Sequence, residues 1–448
     1  MAETGADAPA TQGNNPPQPH SDPSAIPVGS PRWEEEIAGP FKRLDANPGP
    51  ADLAKLALAL VTLVPLRLLV ALLLLVTYYI LARAWLTLAG HGNTSRWARA
   101  AARETTRFFA RAMLVVMGYW TVEVSGRENF REDRASAGRG GGPEPRVFVS
   151  NHLSYVEVLY FMAELCPSFV LKRTCLRLPL VGDIASQVLQ SVPVDNKGGK
   201  DGGPGSAAIL QRMHAMFGAR GNGNGRQDGK DGWGAGSSAD TAGGVIATAA
   251  AGDAPPRPWR GNPLLVFPEG TTSNGSCLLR FRSGTFLAGQ PVYPVVIRLP
   301  FRHPGGGGGG GGGGALFSAS YESIFTPAHI IRTLAQPRNH LRVAYLPRHD
   351  PTAAEAADPA AYAAAVRADM ARALGGVRLA DAGYREKCTY HAHLRTRYAA
   401  HPWGKLLAGL TVVSPDEHWA WEGRRAGREG SGRGGSGSGG AGGPGAGT

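Results

Sequence analysis

The chain has 448 residues, 63 of them glycine, with a formal net charge of +12. Glycine is gathered in runs that cannot bury apolar area, so much less than the full length packs a core. The four cysteines show no CxxC spacing, which argues against a zinc site and a disulfide framework and favours a reducing compartment.

Residues 1–48 are rich in Pro and Ala, acidic in places, and are expected to be disordered. No basic n-region stands directly before the apolar run that follows, so this is not a signal peptide. Residues 49–118 read as a membrane anchor with interfacial helices. From about Leu53 to Leu88 the chain is at its most apolar, and Leu68 to Ala82 carries no charge. A full span needs about 20 apolar residues. Pro65 and Arg67 interrupt the longest frame, which leaves two readings: one tilted span with a snorkelling Arg67, or two helices that dip into one leaflet. Arg83, Arg96, Arg99, Arg103, Arg107 and Arg111 come next, the pattern of an anchor whose C-terminal flank stays cytosolic. Met113 to Trp120 fits an interfacial helix and an ordinary buried helix equally well.

Residues 119–350 change character. Strands are predicted over Thr121 to Val124, Arg146 to Val149, Ser168 to Leu171, Ser191 to Val194, Leu264 to Phe267, Val292 to Ile297 and Leu341 to Leu346. Helices are predicted near Tyr155 to Leu165, Ser206 to Phe217 and Thr352 to Leu374. The pattern is that of an α/β domain, a mixed and largely buried sheet flanked by helices, with disordered Gly-rich insertions at residues 219–258 and 303–314. A C-terminal helical region, residues 351–421, holds Tyr384 to Arg395 and a piece, Trp403 to Val413, too brief to span a bilayer. Residues 422–448 form a Gly/Arg-rich tail. No aromatic stacking set accompanies it, so the positive charge is assigned to a membrane surface and anionic substrates, with no nucleic acid expected.

Two strand ends carry the chemistry. The first run ends in Asn151-His152 and leads through Ser154-Tyr155-Val156 to Glu157; the later one ends in Phe267-Pro268-Glu269-Gly270-Thr271-Thr272. Residues five apart on a helix are rotated by about 140°, so His152 and Glu157 cannot share a helix face. His152 is therefore placed in the turn, with Ser154 at the N-cap and Glu157 at the third helical position of a capping box. From there the carboxylate can accept one ring N–H and leave the other nitrogen free to take a proton from an alcohol. The second turn offers backbone N–H groups and hydroxyls to a phosphate, with Gly270 permitting close approach and Arg280 and Arg282 following at strand spacing. Capping alone for Glu157, and an exposed basic edge for the arginines, are the plainer alternatives. No Gly-x-Ser-x-Gly elbow or placed cysteine suggests a covalent intermediate, and no ligand spacing suggests a metal: His391 and His393 are too close for a helical pair and read as solvated.

Asn151-His152 with a carboxylate five residues on, Phe267-Pro268-Glu269-Gly270-Thr271, and Val292-Tyr293-Pro294-Val295 resemble three blocks of the glycerolipid acyltransferases, the lysophospholipid and 1-acylglycerol-phosphate acyltransferase superfamily. Phe281-Arg282-Ser283-Gly284-Thr285-Phe286 and Leu171-Lys172-Arg173 look closest to the lysophosphatidylcholine/lysophosphatidylethanolamine branch. The resemblance implies a membrane-bound enzyme, with no bound cofactor, that moves an acyl group from acyl-CoA to a lysophospholipid at the cytosolic face of the endoplasmic reticulum. It implies His152 and Glu157 as the catalytic pair, and Glu269, Gly270, Thr271, Thr272, Arg280, Arg282 and Lys172 in acceptor binding, with Pro294 along the acyl path. Two departures stand. Glu157 takes the place of the family's aspartate, and Ser191 to Lys197 lacks the arginine of the second block. Lysophosphatidate or glycerol-3-phosphate as acceptor, and a lipid-binding protein without turnover, remain alternatives.

Overall fold

The computed structural model describes residues 22–45, 49–90, 95–131, 146–177, 181–194, 204–217, 261–301 and 315–399. The insertions at 219–258 and 303–314, the Trp403 to Val413 piece, Lys197 and the 422–448 tail lie outside these residues.

Residues 22–45, expected to be disordered, form short helical turns that pack. Trp33, Ile37 and Phe41 recur at a spacing of four and bury against Cys277, Leu279, Tyr390 and Leu394. Three aromatic or branched side chains on one stripe outweigh the Pro/Ala composition around them.

The apolar anchor is two helices, α1 (Pro50–Val61) and α2 (Leu63–Ala89), broken at Thr62. Pro65 falls in the first turn of α2, where its missing N–H leaves no bond unmade. Only α2 among the described helices is long and apolar enough to cross a membrane. Arg67 does not snorkel. Its guanidinium is buried and donates to the carbonyls of Leu334, Gln336 and Pro337, the unpaired C-terminal end of helix 326–335. Along α2, Val64, Arg67, Tyr78, Ala82 and Ala89 are buried, while the leucines between them face outward. That stripe lies chiefly on α3 (Arg96–Val116), where Tyr78 Oη meets Thr106 Oγ1 at 2.9 Å and Trp85 Nε1 donates to Thr105 Oγ1 at 2.9 Å. Met113 and Leu114, near the end of α3, join the core, as the buried-helix reading of that patch required.

The sheet has β2 (Val147–Ser150), β5 (Leu264–Val266) and β7 (Tyr293–Arg298) at its centre. Beyond β5 lie β3 (Ser168–Lys172) and β4 (Val192–Val194); beyond β7 lie β8 (Leu341–Tyr345) and β1 (Val122–Ser125). The order is β1-β8-β7-β2-β5-β3-β4, all pairs parallel except β7 with β8. A mixed α/β sheet flanked by helices is therefore what the short β-branched runs build. All of β2 and β5 is buried on both faces, which is why these strands read as unbroken apolar runs. Phe148 and Leu265 point to one face, against Val156, Tyr160 and Phe161 of α4 (Val156–Glu164). Val147, Val149, Leu264 and Val266 point to the other. There they meet Met213 of α5 (Pro204–Phe217) and, past α6 (Thr326–Ala335), Tyr362 and Met370 of α7 (Pro359–Ala373).

The single helix expected over Thr352 to Leu374 is two. Asp358 leaves helical geometry because Pro359 follows, and its carboxylate caps the new start at Ala360 N, 2.9 Å. The last described helix is α8 (Tyr384–Ala399), on which His391 is buried rather than solvated, beside Ser323. A two-residue parallel pair, β6 (Cys277–Leu278) with β9 (Arg378–Leu379), joins the second motif's loop to the chain just before α8.

Candidate active site

His152 sits in the turn between β2 and α4, at the C-terminal edge of the sheet. Its Nδ1 lies 2.9 Å from Glu157 Oε1, and the imidazole stacks on Phe267 at 4.2 Å between centroids and 15° between planes. One polar bond and one ring face fix the orientation of the histidine. Among the described residues Nε2 has no partner, and the side chain keeps 22% of its exposure.

Glu157 is fully buried, and the same Oε1 accepts from Leu153 N and Ser154 N at 2.6 Å each. The capping box is not formed as expected. Tyr155, not Ser154, is the N-cap, and no side chain caps the helix from that position. Glu157 thus closes the turn and holds the imidazole with one oxygen. Because this carboxylate oxygen accepts from the ring, the hydrogen sits on Nδ1 and the Nε2 lone pair faces away from Glu157. The other nearby histidine, His329, differs: Tyr155 Oη meets its Nδ1 at 3.0 Å, and Nε2 donates to the Ala319 carbonyl at 3.2 Å. Burial, reinforced by Arg43, pushes it down to about 3. It is a neutral structural residue.

Glu269, expected to hold an acceptor, is turned inward. Its Oε1 accepts from His152 N at 2.8 Å and Oε2 from Leu279 N at 3.0 Å, so the carboxyl ties the first motif to the second. Burial pushes it up to about 8, opposed by those two amides and by Arg367. A further bond, Ser273 N to His152 O at 3.0 Å, completes the seam.

Gly270 has φ +66, and a Cβ there would lie 2.7 Å from Arg282 Nε. The glycine is required because the Arg282 side chain crosses the backbone at that point, in the space the sequence reading gave to a ligand. Thr271 Oγ1 is buried with no partner among the described residues. Thr272 is engaged internally: its Oγ1 bonds Glu322 Oε1 and receives Lys387 Nζ at 2.8 Å, while Lys387 and Glu322 pair at 2.6 Å with both side chains buried. Asn274 likewise turns away from the site, its Nδ2 donating to Gly39 O and Lys42 O. Arg280 points outward to Asp381 at 3.0 Å. Lys172 ends β3 on the same sheet edge as His152, its Nζ 4.7 Å from the Tyr384 ring centroid. Pro294 pairs in register with Val149, inside the sheet and about 10 Å below the level of His152.

The structure therefore gathers His152, Glu157, Gly270, Thr271 and Arg282 at one edge. Glu269 and Thr272 brace that edge from behind, and Arg280 and Pro294 lie apart from it. Phe267, Glu322 and Lys387 were not singled out by sequence. Phe267 stood in the quoted motif, but nothing in its type announces stacking; Glu322 and Lys387 are 65 residues apart, with no local signal of pairing.

An acyltransferase family model matches residues 121–298, the span that carries both motifs. The chain is 30% identical over 373 residues to the lysophospholipid acyltransferase LPEAT1 of Arabidopsis thaliana, covering 76% of this chain and 80% of that protein. This chain belongs to the acyltransferase family. It is also 37% identical to the lysophosphatidylcholine acyltransferase 1 of Danio rerio over 112 residues, a quarter of this chain and 20% of that one. A crystal structure of the 1-acyl-sn-glycerophosphate acyltransferase from Thermotoga maritima is similar at a TM-score of 0.36 and 15% identity, covering 69% of this chain and 98% of that chain.

Proposed function

We propose that this acyltransferase moves a fatty acyl group from acyl-CoA to the free hydroxyl of a lysophospholipid. The observation that carries the reading is the His152–Glu157 pair with Nε2 open at the sheet edge, in a chain whose relatives are named for lysophospholipid acylation. The acceptor oxygen attacks the thioester carbonyl while Nε2 takes its proton; the C–S bond then breaks and coenzyme A leaves as thiolate, to which the imidazolium returns the proton. The Glu157 carboxylate holds the ring and stabilises the transient imidazolium. Arg282 and the unpartnered Thr271 hydroxyl hold the acceptor phosphate, with Lys172 further along the same edge.

The anchor favours one leaflet. The buried residues of α2 are spread from Val64 to Ala89, which supports a helix that stays against the domain. Its outward leucines enter one monolayer with the helix lying near the surface plane. The arginine-rich α3 beside it and four free cysteines suit the cytosolic side of the endoplasmic reticulum.

The test is transfer of labelled acyl groups by the purified full-length protein, with lysophosphatidate, lysophosphatidylcholine and lysophosphatidylethanolamine offered side by side. Labelled diacyl product that disappears in His152→Ala supports the reading. Turnover undiminished in that variant, or acyl transfer to none of the three acceptors, sinks it.

A further inference from the structure

A shallow cleft opens on the anchor side of the molecule between α2, α3 and the helical turn 184–188. It is lined by Arg99, Arg103, Gln187, Gln190, Asn262 and Leu86. Asn262 precedes β5, so the cleft lies at the opposite edge of the sheet from His152. Five residues of extended chain separate Asn262 from Phe267, on which His152 stacks, a distance of about 16 Å.

The charge balance of this cleft is unusual. Arg99 and Arg103 are one helical turn apart, where like charges repel. No carboxylate lines the cleft among the described residues. The nearby acids are engaged elsewhere: Asp183 with Arg83 at 3.7 Å, and Glu104 with Arg107 at 2.5 Å. Arg103 finds only the Asn262 side-chain oxygen, at 3.3 Å, and Arg99 Nε is buried with no partner among the described residues. Gln190 is held at φ +52, a left-handed conformation that a non-glycine residue adopts at a cost. Two guanidinium groups among amide side chains, with no carboxylate facing them among the described residues, match a phosphate group.

The surroundings suggest how a phosphate reaches it. Leu86 belongs to the lipid-seeking helix α2, and the neighbouring Trp85 stands edge to face with the exposed Trp97 at 6.2 Å. Paired indoles of this kind sit at headgroup level in a membrane surface.

We propose that the Arg99/Arg103 cleft is an anion site for a phosphate group, separate from the catalytic edge, and that it docks a lipid headgroup or a soluble phosphate beside the anchor. It does not depend on acyl transfer at His152. The probes are inorganic phosphate and vesicles of phosphatidylcholine with or without phosphatidate, applied to the full-length chain, to Arg99→Gln/Arg103→Gln, to Arg99→Lys/Arg103→Lys, and to Arg372→Gln/Arg385→Gln, which removes equal charge from α7 and α8. Inorganic phosphate is expected to raise the melting temperature of the native chain and of the α7/α8 variant, and to leave Arg99→Gln/Arg103→Gln unmoved. Binding to phosphatidate vesicles falls roughly tenfold in the glutamine variant of the cleft and less in the lysine variant, which keeps the charge and loses the fork. Protection by inorganic phosphate without a preference for phosphatidate identifies a soluble ligand; the reverse identifies a lipid headgroup. Because the arginines repel, Arg99→Gln/Arg103→Gln melts no lower than the native chain when phosphate is absent. A marked fall there makes the pair structural and overturns the proposal, as does equal loss of vesicle binding in both charge-matched variants, or no response of the native chain to either probe.

Discussion

Two histidines in this chain hold a carboxylate against Nδ1 at the same 2.9 Å, His152 with Glu157 and His349 with Asp369. Their side chains are similarly exposed, 22% and 17%. What separates them is the second nitrogen and the place. His349 Nε2 faces Glu355 at 3.4 Å, and the residue pairs with Val292 at the start of β7, on the sheet edge opposite His152. A histidine between two carboxylates is a clasp: it ties β7 to α7 and to the short helix before it. A histidine with one carboxylate and one free nitrogen, at the edge where parallel strands end, can move a proton. The pair alone is not the signature; what distinguishes His152 is a second ring nitrogen without a partner among the described residues.

The strongest way to break this contrast is to remove each ring in turn. His152→Ala is expected to lower kcat about 10²- to 10⁴-fold, the usual range for a general base, with little change in melting temperature. His349→Ala should leave kcat within a few-fold and lower the melting temperature instead. Equal losses of activity would mean that the two pairs are not functionally distinct.

Glu269 sharpens the contrast from another side, because it binds the backbone of His152 while being buried itself. Its carboxyl is pushed up to about 8 from an ordinary 4.5. The folded state therefore retains a proton that the unfolded chain gives up, and stability falls as pH rises. The contribution is complete below about 4.5 and is lost progressively towards about 8, a difference of a few kcal/mol at most when one unit is about 1.4 kcal/mol. Melting temperatures recorded across that window should decline for the native chain and flatten in Glu269→Gln. A slope that Glu269→Gln leaves intact assigns the titration to another group.

Lys387 and Glu322 brace the same loop through Thr272. Lys387→Met leaves Glu322 buried without its cation and is expected to cost about 3 kcal/mol of stability. Lys387→Met with Glu322→Leu should recover most of it, as neither charge is then stranded. Recovery of the fold with KM for the acceptor still raised places the pair among the groups that position the loop. If the double variant is no more stable than the single one, the buried pair is not what holds the loop.

How much of this was legible in the chain depends on whether the signal is local. Leu264 to Val266 and Val147 to Val149 announce themselves because a strand buried on both faces must be apolar throughout. His152 and Glu157 could be brought within reach of each other from the turn and the helix start, although the capping box used to place them does not form. Glu269 could not be oriented, since a carboxylate after a strand faces solvent or core with the same sequence, and only the Leu279 and His152 amides decide. Thr272 was misdirected for the same reason: its partners lie 50 and 115 residues away. Gly270 was read correctly as a point of close approach and assigned the wrong neighbour, the crossing arginine being twelve residues on.

Glu157 is the subtlest test, because it stands where the family usually has an aspartate. Here the longer side chain reaches the imidazole at 2.9 Å and places the same oxygen 2.6 Å from two amides of the turn. Shortening it by one methylene draws the carboxylate back by more than 1 Å, too far to keep all three bonds unless the start of α4 moves with it. Glu157→Asp should therefore lower kcat by about a hundredfold, the cost of a misplacement of that size, while KM for the acceptor stays near its native value because no acceptor contact is removed. Glu157→Gln keeps the reach and loses the charge, so its pH–rate profile shifts where that of Glu157→Asp does not. An aspartate variant as active as the native chain would mean that the turn adapts to either carboxylate, and that the open nitrogen alone distinguishes His152 from His349.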